Sequence, residues 1–226
     1  MYDGREDFHD MTDSVLAENI ANELRRDILT GKLMPGNSVK ERDYALELGV
    51  SRTPVREAIR SIATEGLITL RTSRSPIVSS PAFQEVKDDI DVMRTLEVRC
   101  GELACQEGSK EDIEKIIAIQ RRLAAEYKDL DPLDRFELDM EFHCAIAEAS
   151  HNRSLVKTHR EYLRRLWRIR FLSANKKGDR ERSMGQHYEI ALGLANRDAA
   201  LVTHVVSLHV DHIIENIREY FETNEQ

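Results

Sequence analysis

Proline is unevenly distributed along this chain, and its distribution limits where long helices can form. Four of the five prolines fall before residue 82: Pro35, Pro54, Pro76 and Pro81. Because proline interrupts helices, long helices are expected after Pro81, where the sequence pattern is helical with few interruptions. The two strand-like segments, 68–70 and 77–78, also lie before this point. We therefore predict two domains, 12–80 and 81–222, that meet near Ser80.

The first predicted domain has the pattern of three helices followed by a β-hairpin. Apolar residues spaced four apart predict a helix over 15–30, and a second, shorter helix covers 41–48. Ser51 can cap a third helix, which Gly66 ends. Two short strands around a polar tip follow. Three helices and a hairpin are the plan of a winged helix-turn-helix.

The second predicted domain is entirely helical. Breaks in the apolar pattern at Asn152, Gly178 and residues 196–198 contribute to its division into six helices. The expected ranges are 83–107, 110–129, 132–150, 153–174, 180–196 and 198–222. We therefore expect a mainly α fold, in which an N-terminal winged helix-turn-helix is followed by an all-α C-terminal helical bundle.

Composition excludes some classes of protein and leaves others open. No apolar run approaches the roughly 20 residues that span a bilayer, so we expect no membrane partner. The first seven residues are acidic and polar, unlike a secretory signal, and the three cysteines form no C-x-x-C pair, so we expect a cytoplasmic protein. The net charge is −8, yet residues 49–80 carry five arginines and only two glutamates. A nucleic-acid partner for that segment therefore remains open.

The third predicted helix carries a basic face. Arg52, Arg56 and Arg60 recur at every fourth position, opposite the apolar face. An α-helix fits the major groove of DNA, and arginine can form two hydrogen bonds with guanine O6 and N7. Ser51 and Thr53, at the start of the helix, can meet phosphate with their hydroxyl and N–H groups. On spacing alone, an amphipathic helix with a solvated basic face is an equally good interpretation.

Four segments of the first domain carry a family resemblance. They are residues 28–36, 41–42, 48–59 and 65–67. Together they closely resemble the winged-helix domain of GntR-superfamily transcription regulators. The all-α remainder resembles the FCD effector domain of the FadR subfamily. The resemblance implies a regulator with a DNA-binding domain and an effector domain.

The same resemblance implies roles for individual residues. In that family, arginines of the second and third helices contact DNA, which assigns Arg42, Arg52 and Arg56 to the interface. The wing of the family often carries glycines at its tip, whereas residues 71–76 contain none. Arg74 is the candidate for a minor-groove contact from this tip.

Aspartate and histidine recur on the helix faces that should point into the bundle. Asp139 and His143 are one helical turn apart, so their side chains share a face. His187 and His209 lie in the apolar stripes of their own helices, whereas His204 lies on a polar face. Buried polar groups need partners, and a divalent ion would satisfy all four inward candidates. For any one of them, a hydrogen-bonded core residue is the ordinary alternative.

The resemblance supplies the pairing of these distant helices. FCD domains bind metal through one aspartate and three histidines in this order, which implies that the four candidates form one site. Three imidazoles and one carboxylate suit zinc first, and nickel, iron or manganese as well. We expect His151 and His159 to lie at the surface.

A metal site of this composition favours an anionic effector. One carboxylate ligand on a divalent ion leaves a net positive charge, which attracts anions. FCD regulators place an arginine near the pocket, and Arg94 resembles it. We expect Arg94 to bind a small carboxylate effector. A surface ion pair with Asp91 or Glu97 is the alternative for this arginine.

These observations favour a ligand-responsive, DNA-binding transcription regulator that is not an enzyme. We expect a repressor that binds a palindromic operator as a homodimer and responds to a small organic acid at a metal-containing pocket. A metal-dependent hydrolytic enzyme is one alternative, although the sequence contains no H-E-x-x-H, G-x-S-x-G or phosphate-loop motif. A direct metal sensor is the other.

Overall fold

The protein is mainly helical and divides into two parts. The computed structural model describes residues 13–176, 178 and 180–224 of the 226-residue chain. Contacts within the chain separate two compact units between Ser80 and Pro81, and we describe each unit by itself. The expected fold class is confirmed, since 76% of the structure is helical. Within the described ranges, no helix is both long enough and apolar enough to cross a membrane.

Over residues 13–80, the first unit contains three helices and a two-stranded hairpin. They are α1 (Asp13–Leu29), α2 (Glu41–Leu48), α3 (Arg52–Thr64), β1 (Ile68–Thr69) and β2 (Ile77–Val78). The strands are antiparallel, with Ile68 opposite Val78. Ser51 stands at the N-cap of α3 with an extended backbone, but its side chain makes no capping hydrogen bond. The Ser51 hydroxyl group therefore does not cap α3.

Apolar burial holds the first unit together. Ile20, Leu24 and Ile28 on α1 are fully buried, as are Val55 and Ile62 on α3. The three α1 residues are four apart, so they form one stripe along the helix. Because α3 directs its own apolar stripe to the same core, its opposite face is left in solvent.

In its described residues, the second unit forms a bundle of seven helices. They are α4 (Phe83–Glu107), α5 (Lys110–Glu126), α6 (Pro132–Ala149), α7 (Arg153–Arg165), α8 (Trp167–Ala174), α9 (Arg180–Ala195) and α10 (Ala199–Asn224). Local signals start several of them. Ser109 caps α5 by accepting from the Asp112 N–H, and Asp131 caps α6 just before Pro132.

One helix that the sequence predicts as continuous is divided in the structure. The expected helix over 153–174 breaks at Leu166, which ends α7 and precedes α8. Leu166 is buried, and its φ of −90° and ψ of 2° interrupt the regular helix. The prediction of one helix was wrong because neither proline nor glycine marks this break in the sequence.

Close packing in the bundle depends on two glycines. Val202 of α10 lies between Gly101 of α4 and Gly193 of α9. A Cβ atom at Gly101 would lie 2.5 Å from Val202 Cγ1, and one at Gly193 would lie 2.7 Å from Val202 Cγ2. Real Cβ atoms do not approach this closely, so only glycine lets the three helices meet here.

Candidate metal centre and nucleic-acid interface

The exposed face of α3 carries most of the candidate DNA-binding residues. Arg52, Arg56 and Arg60 are exposed, while the apolar face of the helix is buried. Ser51 and Thr53, at the start of α3, are exposed as well. The structure therefore places the predicted basic face in solvent, where a nucleic acid can reach it.

The hairpin tip is closed by an arginine that the sequence did not single out. The Arg71 guanidinium donates to the Ser75 carbonyl oxygen through Nε at 2.9 Å and through Nη2 at 2.7 Å. Ser73 takes the left-handed conformation, with a φ of 57°, at a tip that contains no glycine. Arg74 is exposed beside it, as its candidate role requires.

Helix α2 contributes both a cation and an anion to this surface. The Arg42 side chain is 78% exposed, and its Nε lies 3.5 Å from Asp43. Glu41, the first residue of α2, accepts hydrogen bonds from Arg56. Arg56 Nε is 3.1 Å from each carboxylate oxygen, and Nη2 is 2.9 Å from Oε2. The hydrogen bond with Arg56 lowers the pKa of Glu41, so the carboxylate is ionised at neutral pH.

The structure brings the four metal-ligand candidates together in the second unit. One ring nitrogen each from His143, His187 and His209 lies within 4.8 Å of the other two. Asp139 Oδ1 is 3.3 Å from His187 Nε2. Helices α6, α9 and α10 each supply part of this cluster. The inward faces predicted from helical spacing therefore converge on one point.

Unsatisfied ring nitrogens make this cluster suitable for a cation. His143 Nε2 and both ring nitrogens of His187 are buried and have no hydrogen-bond partner among the described residues. The other nitrogen of His143, Nδ1, lies 3.4 Å from Glu97 Oε1, and His209 Nδ1 lies 3.2 Å from Gln186 Oε1. Metal-binding histidines usually have such a partner on the ring nitrogen that does not bind the metal. The residues present thus fit a divalent ion.

Burial also keeps the imidazoles in the form that a metal requires. Burial lowers the pKa of His187 to about 4, against a smaller opposing effect of Asp139. Burial and the neighbouring His187 and His143 hold the pKa of His209 well below its ordinary value. Both rings are therefore neutral at neutral pH, with lone pairs that can bind a cation.

A buried carboxylate that the sequence did not reveal lies beside the cluster. Glu97 of α4 is 4% exposed, and its Oε1 lies 2.7 Å from Arg170 Nη1. Burial raises the pKa of Glu97, but the charge of Arg170 and the contacts with His143 and His159 outweigh this effect and hold that pKa well below its usual range. His159 Nε2 is 3.7 Å from the same oxygen. The prediction that His159 lies at the surface was wrong, since it is 1% exposed, whereas His151 is exposed as predicted.

A small polar cavity adjoins the histidine cluster. Its volume is about 30 Å³. Four helices contribute to its lining, through Asp139 of α6, Arg170 of α8, Gln186 of α9 and both His209 and His212 of α10. A water molecule needs roughly 10–15 Å³ of such volume, so the cavity has room for about two.

Arg94, the predicted effector-binding residue, does not line this cavity. Its Nη2 lies 2.9 Å from Asp211 Oδ1 and 3.5 Å from Asp91 Oδ1. The first of these contacts joins α4 to α10, and the second is the ion pair that the sequence left as an alternative. The buried cation at the cavity is Arg170, which sequence analysis did not single out.

Two regions of the chain match families of known type. Residues 16–78 match "Bacterial regulatory proteins, gntR family", and residues 89–212 match the FCD domain. The chain belongs to the GntR family of bacterial regulatory proteins. It carries an FCD domain, as the resemblance in the sequence implied, and the exposed face of α3 and the histidine cluster lie within these two matched regions.

Relatives of this GntR-family regulator support the assignment over most of its length. It is 29% identical over 204 residues to the HTH-type transcriptional repressor RspR of Escherichia coli strain K12, covering 89% of this chain and 88% of the relative. It is 31% identical over 191 residues to the Nta operon transcriptional regulator of Aminobacter aminovorans, covering 81% and 88%. The solved structure of E. coli McbR/YncC has the same fold, with a TM-score of 0.71 at 17% identity over 93% of this chain and 99% of that one.

Family membership excludes one of the alternatives that the sequence left open, a metal-dependent hydrolytic enzyme. The GntR family consists of transcription regulators, which are not enzymes, so the hydrolytic interpretation of the metal-ligand candidates is excluded. This GntR-family regulator has a DNA-binding domain and an FCD effector domain.

Proposed function

We propose that this GntR-family regulator is a cytoplasmic repressor that binds a palindromic operator as a homodimer and responds to a small carboxylate. Residues 12–80 would bind DNA, and residues 81–222 would bind the effector and form the dimer. The main support is the buried histidine cluster, which contains unsatisfied ring nitrogens among the described residues and of which Asp139 and His209 line a polar cavity. Repression is inferred from the name of the relative RspR, which is a transcriptional repressor.

On the DNA side, the proposal assigns six exposed residues to the interface. They are Arg42, Ser51, Arg52, Thr53, Arg56 and Arg74. Helix α3 would enter the major groove, where arginine reads base edges and the hydroxyl groups reach phosphate. One short helix makes few base contacts, so a two-fold dimer on two half-sites supports specific binding.

In the FCD domain, the proposal assigns Asp139, His143, His187 and His209 to one divalent ion. Neutral imidazoles with one carboxylate suit zinc first, and nickel, iron and manganese also fit. When bound, the ion supplies a positive centre to which an effector carboxylate can coordinate. The chain keeps the His187 and His209 imidazoles neutral through burial, and Glu97 and Gln186 hold the second ring nitrogens of His143 and His209.

Arg170 is the residue that we assign to the carboxylate of the effector. It lines the cavity, and it is held on one side by Glu97 at 2.7 Å. A guanidinium has five N–H donors, so the bond through Nη1 leaves others for a ligand. We give Arg94 an indirect role, in which it affects the response through its contact with Asp211 between α4 and α10.

The size of the cavity favours a second candidate, a direct metal sensor. With room for about two waters, the cavity is too small for most organic acids unless the surrounding helices move. If the ion itself is the signal, no such movement is needed to admit a second ligand. Both candidates use the same four side chains, so they differ only in which ligand changes DNA affinity.

Titration of operator affinity distinguishes these candidates. A duplex selected from a random library by the full-length protein serves as the operator, and affinity is measured with chelated protein, with Zn²⁺, and with Zn²⁺ plus acetate, malonate or citrate. The proposal expects a carboxylate to change affinity only in the presence of metal. A response to metal that no carboxylate alters supports the sensor. No response to metal or carboxylate contradicts both.

A pair of histidine variants provides the matched control for this titration. His143→Ala removes one ligand candidate and should abolish the metal-dependent response. His204→Ala removes an exposed imidazole from α10 and should leave the response intact. Equal loss in both variants would show that the response does not depend on the buried cluster.

A further inference from the structure

The contact between Glu41 and Arg56 uses one particular side of the guanidinium. Arg56 donates to the carboxylate through Nε and Nη2, which is the side-on arrangement. A guanidinium has five N–H donors, and this arrangement engages the Nε–H and one N–H of Nη2. Three N–H groups are left, two on Nη1 and one on Nη2.

The three remaining donors form the edge that reads guanine. A bidentate contact to guanine O6 and N7 needs two parallel N–H groups, and the Nη1–Nη2 edge provides them. Because Glu41 occupies the other edge, both contacts can exist at once. The carboxylate therefore does not need to release Arg56 when DNA binds.

We propose that Glu41 is a positioning residue that orients Arg56 for base reading and thereby determines specificity at one operator position. This inference rests on the proposed assignment of Arg56 to a base contact. The position of the two residues on different helices supports this role. Arg56 is on α3 and Glu41 is on α2, so the carboxylate fixes the end of a long side chain from a neighbouring helix. A side chain that is already oriented loses less conformational freedom on binding.

Charge gives Glu41 a second way to favour specificity. The hydrogen bond from Arg56, together with the charges of Arg56, Arg52 and Arg60, lowers the pKa of Glu41, which keeps this carboxylate negative at neutral pH. A fixed negative charge repels phosphate, whereas a guanine edge presents neutral acceptors. Glu41 therefore disfavours capture of Arg56 by the DNA backbone, where it would bind every sequence equally.

Two other roles for Glu41 make different predictions. A carboxylate that merely blocks Arg56 must be displaced by DNA, so its removal would strengthen binding to all sequences. A carboxylate that merely holds α2 against α3 would, when removed, lower the thermal stability of the first unit and weaken all binding. Only a positioning role changes the base preference at one position while the fold is kept.

The test is selection of binding sites from a random duplex library by the full-length protein, with thermal unfolding measured in parallel. The variants are Glu41→Gln, Arg56→Ala and Glu47→Gln. Glu47 is exposed on the same helix, and its charge acts on Lys32 and Tyr44, so its variant makes the same charge change away from Arg56. Loss of a negative charge raises DNA affinity in general. Comparison of Glu41→Gln with Glu47→Gln therefore separates this general effect from the loss of Arg56 positioning.

We expect Arg56→Ala to abolish a guanine preference at one position of each half-site. Glu41→Gln should weaken that preference about fivefold or more at the same position, with other positions and the melting temperature unchanged, because a bidentate base contact discriminates by at least this factor. Glu47→Gln should keep the wild-type preference. If Arg56→Ala acts but Glu41→Gln resembles Glu47→Gln, the positioning role is wrong while the base contact stands. If Arg56→Ala leaves every preference intact, the base contact itself is wrong and the inference ends with it.

Discussion

Two glutamate–arginine pairs in this molecule have similar distances and opposite surroundings. Glu41 and Arg56 lie 2.9 Å apart with 27% and 49% of their side chains exposed, whereas Glu97 and Arg170 lie 2.7 Å apart with 5% and 3% exposed. Water screens the first pair, so its loss costs little folding free energy. The second pair is enclosed, and removal of either partner leaves an unpaired buried charge. We therefore expect loss of the exposed pair to affect DNA recognition and loss of the enclosed pair to affect stability.

The largest expected effect comes from breaking the buried pair. Arg170→Ala should lower the free energy of unfolding of the FCD domain by about 3–5 kcal/mol, because Glu97 would remain as an uncompensated buried charge. Denaturant unfolding of the full chain, followed by circular dichroism, measures the change. The double variant Arg170→Ala with Glu97→Gln should recover part of the loss. If the double variant lost as much stability as the two single variants together, an unpaired buried charge would not be the cause of the destabilisation.

Metal removal should have the next largest effect, and only on the second unit. A ligand present at 100 times its Kd stabilises the folded state by about 2.7 kcal/mol, so chelation should lower the melting temperature of metal-loaded protein by a corresponding amount. Elemental analysis of protein purified without chelator establishes the metal and its stoichiometry. In His143→Ala the effect of chelator should vanish, and in His204→Ala it should persist. Protein without stoichiometric metal, and with stability unchanged by chelator, would leave the cluster as a polar core.

The contrast between enclosed and exposed positions extends to two glycines of α9. Gly193→Ala should destabilise by about 1–3 kcal/mol, because its methyl group would collide with Val202. In Gly185→Ala, on the same helix, the new methyl group meets no atom of the described residues within 4 Å, so the variant should be more stable by about 0.5–1 kcal/mol through helix propensity. Thermal unfolding of the two variants measures the difference. Equal effects would show that α9 can shift away from α10 at little cost.

The smallest expected effect on stability is that of breaking the exposed pair. Arg56→Ala should leave the unfolding midpoint unchanged, since the side chain is half in solvent and leaves no cavity. The same variant should weaken specific DNA binding by about 1–3 kcal/mol in a gel-shift titration. If its stability fell as far as that of Arg170→Ala, solvent exposure would not be what separates the two pairs.

The sequence contained enough information to predict the architecture and the metal-ligand candidates. Helix ranges follow from apolar spacing and from prolines and glycines, which act locally. Asp139 and His143 are one turn apart on α6, so their common face could be predicted without tertiary information. Their approach to His187 and His209 depends on how three helices cross, which no local pattern specifies. A family resemblance supplied that part.

Sequence analysis did not assign the charged and polar residues of the core because it takes a charged side chain as a sign of solvent exposure. Glu97 follows Met93 by four residues and precedes Cys100 by three, so it lies in a buried apolar stripe of α4. His159 precedes the buried Leu163 by four residues on α7, which also places it in a buried stripe. These stripes were available as signals. Arg170 follows the buried Leu166 by four residues, so the same kind of signal was available for it.

The small size of the cavity beside the histidines predicts how the size of an effector relates to the change in DNA affinity that it causes. A carboxylate small enough for the existing space would leave α6, α8, α9 and α10 where they are, so its binding would change DNA affinity little. A bulkier ligand would have to separate those helices, and part of its binding free energy would be stored as that displacement. The affinity of an effector for the protein and the change in DNA affinity that it causes should then be separate properties. Among acids of equal affinity, the larger ones should be the stronger inducers, and the smallest should act as competitive antagonists.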